Sequence, residues 1–179
     1  MKASAFAETL KRVWRAFEAE AGEKFPAEFM QSTESSTIIG HRAPETVCGL
    51  PDQDLADLFN RYETSDLEIG MVWFSDTPKK VSNGWQIGTV EVDPIILDEA
   101  TGYIRAHDYA APHHVMWTCA QSGGSFLDAL AYVAELVLNS TSIHDEEIDE
   151  RALQRCAALA NTPESEPFYR MLLYVYPED

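Results

Sequence analysis

Cations are scarce in this chain: 13 Lys and Arg stand against 30 Asp and Glu over 179 residues, a formal net charge of −17. Lys11-Arg12 and Lys79-Lys80 are the longest basic runs. A surface of that sign repels phosphate, which argues against nucleic acid and against an anionic membrane as partners. Cysteine is scarce as well. Cys48, Cys119 and Cys156 are an odd number, widely spaced and without a C-x-x-C pair, which rules out a disulfide framework and a zinc knuckle. Reduced thiols of this kind suit a cytoplasmic protein. Long apolar runs are missing too, since no stretch approaches the roughly 20 residues that span a bilayer. Glu8, Lys11 and Arg12 interrupt the N-terminal segment where a signal-peptide core would lie. What the chain does have is 45% hydrophobic and 11% aromatic residues, enough for one ordinary core without disulfide or metal staples.

Periodicity divides the chain into helices, then strands, then helices. Phe6, Leu10, Val13, Trp14 and Phe17 form one stripe on a 3.6-residue period, with Ser4 as the expected cap and Gly22 as the stop. Residues 31–47 are Ser/Thr-rich and aperiodic, which predicts a loop or an edge strand. Asp52 is the expected cap of a helix whose apolar face is Leu55, Leu58, Phe59 and Tyr62. From Leu67 to Phe74 the run is almost continuously apolar around Gly70, the pattern of a central strand buried on both faces. Ser82-Asn83-Gly84 predicts a turn and 85–89 a strand. Residues 93–98, a loop with Gly102, and 103–107 then predict a hairpin. His113 to Cys119 reads as one more strand. Phe126, Leu127, Leu130, Val133, Ala134, Val137 and Leu138 return to helical spacing after a Ser122–Ser125 cap. Residues 145–160 predict an acidic-started helix, and 166–176 fit helix or strand. The order predicts a single α+β domain, a mostly antiparallel or mixed sheet flanked by N- and C-terminal helices.

Catalytic signatures are missing. The chain has no Gly-x-Ser-x-Gly, no phosphate-binding Gly-x-x-x-x-Gly-Lys loop and no dinucleotide fingerprint. Gln121–Ser125 precedes a helix and has the form of an anion cradle, but it has no lysine and capping accounts for it. His113-His114 would point to opposite faces of a strand and so could not share one metal ion. His107-Asp108 is similar to the His-Asp pair of metal phosphohydrolases, which build their sites on helices, whereas here it ends a hairpin arm. Asp93 and Asp98 lie about 16 Å apart along an extended chain, too far for a paired acid and base. Cys119 with His113 or His114 is a nucleophile pair without an orienting third group. No catalytic residue, cofactor or metal is expected.

Gly70, Trp73, Trp85, Gly88, the Asp93–Asp98 run and the Thr101-Gly102-Tyr103 turn stand in a fixed order before a helix beginning Ser125-Phe126-Leu127. In this order, through WQIGTVEVDPIILDEATGYIRAHDY, HHVMWTCAQS and SFLDALAYVAELV, the chain resembles the SUKH superfamily. Leu50-Pro51-Asp52 looks like that family's entry to a helix, while Glu63-Thr-Ser-Asp-Leu stands where the family often has Asn-Gly-Gly. The resemblance covers about residues 50–138, with 1–49 as a lead-in and 139–179 as C-terminal helices. It implies an α+β fold without a catalytic centre, and, for bacterial members, an immunity protein that binds and neutralises a toxin in the cytoplasm.

The acidic charge suits such a role, because nuclease toxins are basic and opposite charge speeds their capture. The expected interface residues are Trp85, Asp93, Asp98, Glu99, Asp108 and Tyr109, with Trp73 and Trp117 assigned to the core. The expected partner is a protein, a basic toxin domain among the choices, and the chain itself a monomer or weak homodimer. Two other readings stand beside it. One is a regulatory or structural module that self-associates through helix 126–138. The other is a small-molecule hydrolase or binder using His107, Asp108, His113 and Cys119.

Overall fold

The computed structural model describes residues 1–21, 24–42, 49–139 and 150–173. Three helices come first: α1 (Ala3–Ala21), α2 (Ala27–Thr37) and α3 (Gln53–Arg61). Six strands follow: β1 (Glu68–Ile69), β2 (Val72–Val81), β3 (Gly84–Val90), β4 (Asp93–Asp98), β5 (Ile104–His107) and β6 (Val115–Ala120). Helices α4 (Gly123–Asn139), α5 (Glu150–Leu159) and α6 (Glu166–Leu172) complete the chain, with a 3-10 turn at Pro163–Ser165 between the last two. The strands lie side by side in chain order and every neighbouring pair is antiparallel. Short turns enforce this arrangement, because a few residues can reverse a strand but cannot cross over the sheet.

The helices pack on one face of this meander. Val72, Phe74, Ile87, Ile95, Leu97, Ile104 and Cys119 point from the strands into a core shared with Phe6, Leu10, Leu55, Phe59 and Phe126. Helix α4 lies at its centre. Phe126, Leu127, Ala129, Leu130, Ala131, Val133 and Ala134 are all buried, so the helix is apolar on most of its circumference. It is therefore not free to serve as a self-association surface, as the sequence had allowed, because its apolar side chains are engaged with α1, α3, α5 and the sheet.

One carboxylate ties the two halves of the helical layer together. Asp52 Oδ1 accepts the Leu55 N–H at 3.0 Å and caps α3. Its Oδ2 accepts the Gly123 N–H at 2.9 Å, at the start of α4. A β-carbon on Gly123 would collide with the Asp52 carboxylate and the Leu55 side chain. That close approach explains the glycine. Ser122 and Ser125 add a reciprocal cap: the Ser125 N–H donates to Ser122 Oγ at 3.2 Å, and the Ser122 N–H to Ser125 Oγ at 3.0 Å. The cradle-like sequence at 121–125 is thus filled by the protein's own acceptors.

Several local expectations change. Of residues 31–47, expected as a loop or edge strand, 43–47 lie outside the described residues and 31–37 belong to helix α2. Only Thr37 of it is buried, so there is no apolar stripe to read, and its hydroxyls bond back along the helix, Thr33 Oγ1 to the Phe29 carbonyl and Ser36 Oγ to the Thr33 carbonyl. The run from Leu67 to Phe74 is a tight hairpin at the sheet edge, not one central strand. Gly70 takes φ +61° in its turn, a conformation open to glycine at little cost. Ser4 lies inside the first turn of α1 rather than capping it. Residues 166–172 are helical. Gly22, Cys48 and residues 145–149 lie outside the described residues.

Replacing Asp52 by alanine removes a cap from α3 and a partner from α4, which at about 1 kcal/mol each predicts a loss of about 2 kcal/mol. Asp52→Asn keeps one acceptor and should lose about half as much. Urea unfolding followed by circular dichroism measures both; a loss under about 0.5 kcal/mol for Asp52→Ala would show that the shared carboxylate does not join these helices.

Candidate interaction surface

Among the described residues no helix covers the second face of the sheet. Trp73 is exposed between buried Val72 and Phe74, so it points away from the helices. Thr89 and Pro94 continue its row across the sheet by ladder register. His107 follows Ala106, the partner of Ile95, and itself pairs with Val115. The next row holds Gln86, Ile96, Arg105 and Thr118. This face is where the chain presents side chains on a rigid backbone.

The six residues expected at an interface fall into two groups at opposite ends of β4, about 16 Å apart. Trp85, Asp98 and Glu99 lie at one end, and all three are occupied. Trp85 packs against the core with the Lys80 ammonium 5.1 Å from its ring. Glu99 pairs with the same Lys80 at 2.5 Å. Asp98 closes the β4–β5 loop: its Oδ1 accepts the N–H groups of Ala100 at 3.0 Å and Thr101 at 2.9 Å, and its Oδ2 accepts Arg105 Nη1 at 2.9 Å. Burial pushes the Asp98 pKa up, but the Thr101 N–H and hydroxyl, the Arg105 charge and the Ala100 N–H outweigh it, and the carboxyl lies below its ordinary value.

Asp93, Asp108 and Tyr109 lie at the other end. Asp93 Oδ1 accepts the Tyr109 N–H at 2.9 Å, which pins the β5–β6 loop to the start of β4. Asp108 Oδ1 accepts the N–H groups of Ala110 at 2.7 Å and Ala111 at 3.2 Å, an Asx turn that shapes the same loop. Tyr109 itself is exposed.

The four reactive side chains are engaged or placed separately. Cys119 is fully buried on the helix side, where desolvation drives its thiol pKa far up and a bond to the Ala106 backbone offsets this only in part. Burial likewise raises the Cys156 thiol to about 12, against a smaller opposite effect of Arg155. His107 is buried with Nδ1 2.9 Å from the Pro112 carbonyl oxygen. A carbonyl only accepts, so Nδ1 carries the proton, and Nε2 is left without a partner. His107 therefore closes its own loop. His113 and His114 sit exposed in that loop and not on a strand, because β6 begins only at Val115. A cavity of about 300 Å³ lies elsewhere, between α2, the β1–β2 turn and the end of α4, lined by Ser32, Thr33, Ser36, Glu68, Val137 and Leu138. Among the described residues no three His, Cys, Asp or Glu cluster as metal ligands. None of their helices is long and apolar enough to cross a membrane.

Sequence reasoning assigned Trp73 to the core and missed Glu91, Val92 and Met116. Trp117 does pack against the core, with its ring centroid 6.4 Å from that of Phe168. The signal for Trp73 was strand alternation, hidden because Leu67 to Phe74 is apolar on both sides of the hairpin turn. Comparison with protein-family models, with curated proteins and with solved structures gives no match.

The lowered Asp98 pKa fixes a pH signature. A carboxyl whose folded pKa lies below its unfolded value of about 3.8 contributes stability above that value and loses it as pH falls through the folded pKa. Asp98→Ala should therefore cost about 1–2 kcal/mol at neutral pH, and its difference from the parent should shrink below about pH 4. Urea midpoints across pH test this; a difference that grows on acidification contradicts it.

Proposed function

We propose that this chain is a non-enzymatic protein-binding module, an immunity protein of the kind found in the SUKH superfamily, which binds a basic toxin in the cytoplasm and blocks it. One observation carries the reading. Between Lys80 and Arg151 the sequence contains a single Lys or Arg, Arg105, and that guanidinium is tied to Asp98. Over β3 to α4, residues 84–139, seven Asp and Glu face this one cation. Five of the seven lie on β3 to β6 and their connecting turns, a source of negative potential set on a rigid backbone, and Asp128 and Glu135 lie on α4. A toxin that acts on nucleic acid carries the opposite field, and such complementarity raises association rates and selects partners by sign.

The hydrolase reading draws no support from the site: Cys119 is buried on the helix side, His107 Nδ1 is bonded to the Pro112 carbonyl, Asp108 caps its own turn and His113 is exposed in the loop. The self-associating reading would need a surface other than α4.

The test is functional. The tagged protein is used to capture partners from its own cell extract at low and high salt, and a captured basic protein is assayed for toxicity on co-expression. Neutralisation at equimolar ratio, with capture weakened by salt, is the expected result. A toxin that binds yet stays fully active in excess of this protein would overturn the proposal.

A further inference from the structure

Resting on the reading above, the geometry points to the end of the open sheet face around Trp73, Glu91 and Tyr109 as the docking surface, and to a protein segment that interleaves Arg or Lys with apolar side chains as its occupant. Two independent features meet there. The first is apolar exposure. Trp73 is 39% exposed, Val92 68%, Tyr109 72%, and Val115 and Met116 37% each. Most of the described large hydrophobics with such exposure belong to this group; Phe25, Phe29 and Val137 are the others.

These residues are joined through the backbone. Trp73 pairs with Thr89, two residues before Glu91, and Glu91 donates its N–H to the Met71 carbonyl at 3.1 Å beside the β1–β2 turn. Tyr109 is held to Asp93, and Val115 pairs with His107.

The second feature is uncompensated charge. Elsewhere on β3 to α4 each carboxylate has a cation: Asp98 has Arg105, Glu99 has Lys80, Asp128 has the Met1 amine and Glu135 has Arg12. Among the described residues, Glu91, Asp93 and Asp108 have none within ion-pair distance, nor has Glu68, which stands across the ladder from Trp73. Glu91, Asp93 and Asp108 stand in or beside the turns that carry the apolar group, and Glu68 stands beside Trp73, where it also lines the cavity under α2. Glu91 also takes φ +50°, a conformation that non-glycine residues adopt uncommonly. Guanidinium groups suit this surface doubly, pairing with carboxylates and stacking on the faces of Trp73 and Tyr109. Phosphate-bearing partners are repelled by the same four carboxylates.

The probe is a short synthetic peptide alternating arginine and leucine, titrated into the isotope-labelled full chain at low salt, with an alternating glutamate and leucine peptide as the control. The expected result is movement of the Trp73 indole N–H signal and of amides in 89–94 and 107–116 with the cationic peptide alone. Trp73→Thr should weaken binding about tenfold and Glu91→Gln about threefold, with the amide spectrum elsewhere unchanged. Absence of shifts, shifts centred on Trp85 or on Phe25 and Phe29, or equal affinity in both variants would each overturn the assignment. A toxin that Trp73→Thr neutralises as well as the parent would overturn this surface and leave the immunity reading standing. Peptide binding here, with a captured toxin left active, would do the reverse.

Discussion

Everything in this domain follows from a sheet that can be covered on only one side. Six strands joined by short turns must lie in chain order as an antiparallel meander, and the helices before and after them close over the same face. The inward row of Val72, Phe74, Ile95, Leu97 and Ile104 meets α1, α3 and α4 and is excluded from water. The opposite row, Trp73, Thr89 and Pro94, stays at the surface on an equally rigid backbone. A sheet so built separates two tasks. One face supplies stability by burial, and the other is free to carry chemistry that burial would forbid, including carboxylates without partners.

The edges and ends of the sheet are managed so that this face is presented and not the strand edges. At the β2 edge the Phe74 N–H donates to the Leu67 carbonyl, the Ser75 carbonyl accepts Thr64 Oγ1 and the Asp76 carbonyl accepts Arg42 Nη1. Pro78, Lys79 and Lys80 then follow, residues that discourage strand addition. At the other edge the Tyr169 hydroxyl donates to the Cys119 carbonyl at 3.0 Å. The loop end near Asp98 is saturated with internal bonds, while the end near Glu91 is not. This asymmetry distinguishes the two ends of the sheet: one is a structural closure, and the other carries carboxylates without an ion-pair partner among the described residues.

Much of the fold was legible because it is written in local chemistry. The stripe of α1, the Asp52 cap and the hairpin from Asp93 to His107 each depend on residues close in sequence, and each stands as expected. Helix α2 was illegible because it buries almost nothing and so carries no period. The edge hairpin at Gly70 was illegible because apolar residues on both sides of a two-residue turn look like one strand. The candidate surface was half legible. Asp93, Asp108 and Tyr109 were named from charge and loop position. Trp85, Asp98 and Glu99 were named on the same grounds, yet Lys80 and Arg105 engage them through the register of β2, β3, β4 and β5, and the Thr101 N–H closes on Asp98 within its own loop. Trp73 needed the turn to be placed before its direction could be read.

The account rests on unpaired carboxylates drawing in a cationic partner. Its most direct measurement is the association rate of the chain with its captured basic partner as a function of ionic strength, by stopped flow. Electrostatic capture predicts a rate that falls more than about tenfold from low to high salt while the dissociation rate changes little. An association rate indifferent to salt would contradict the account at its centre.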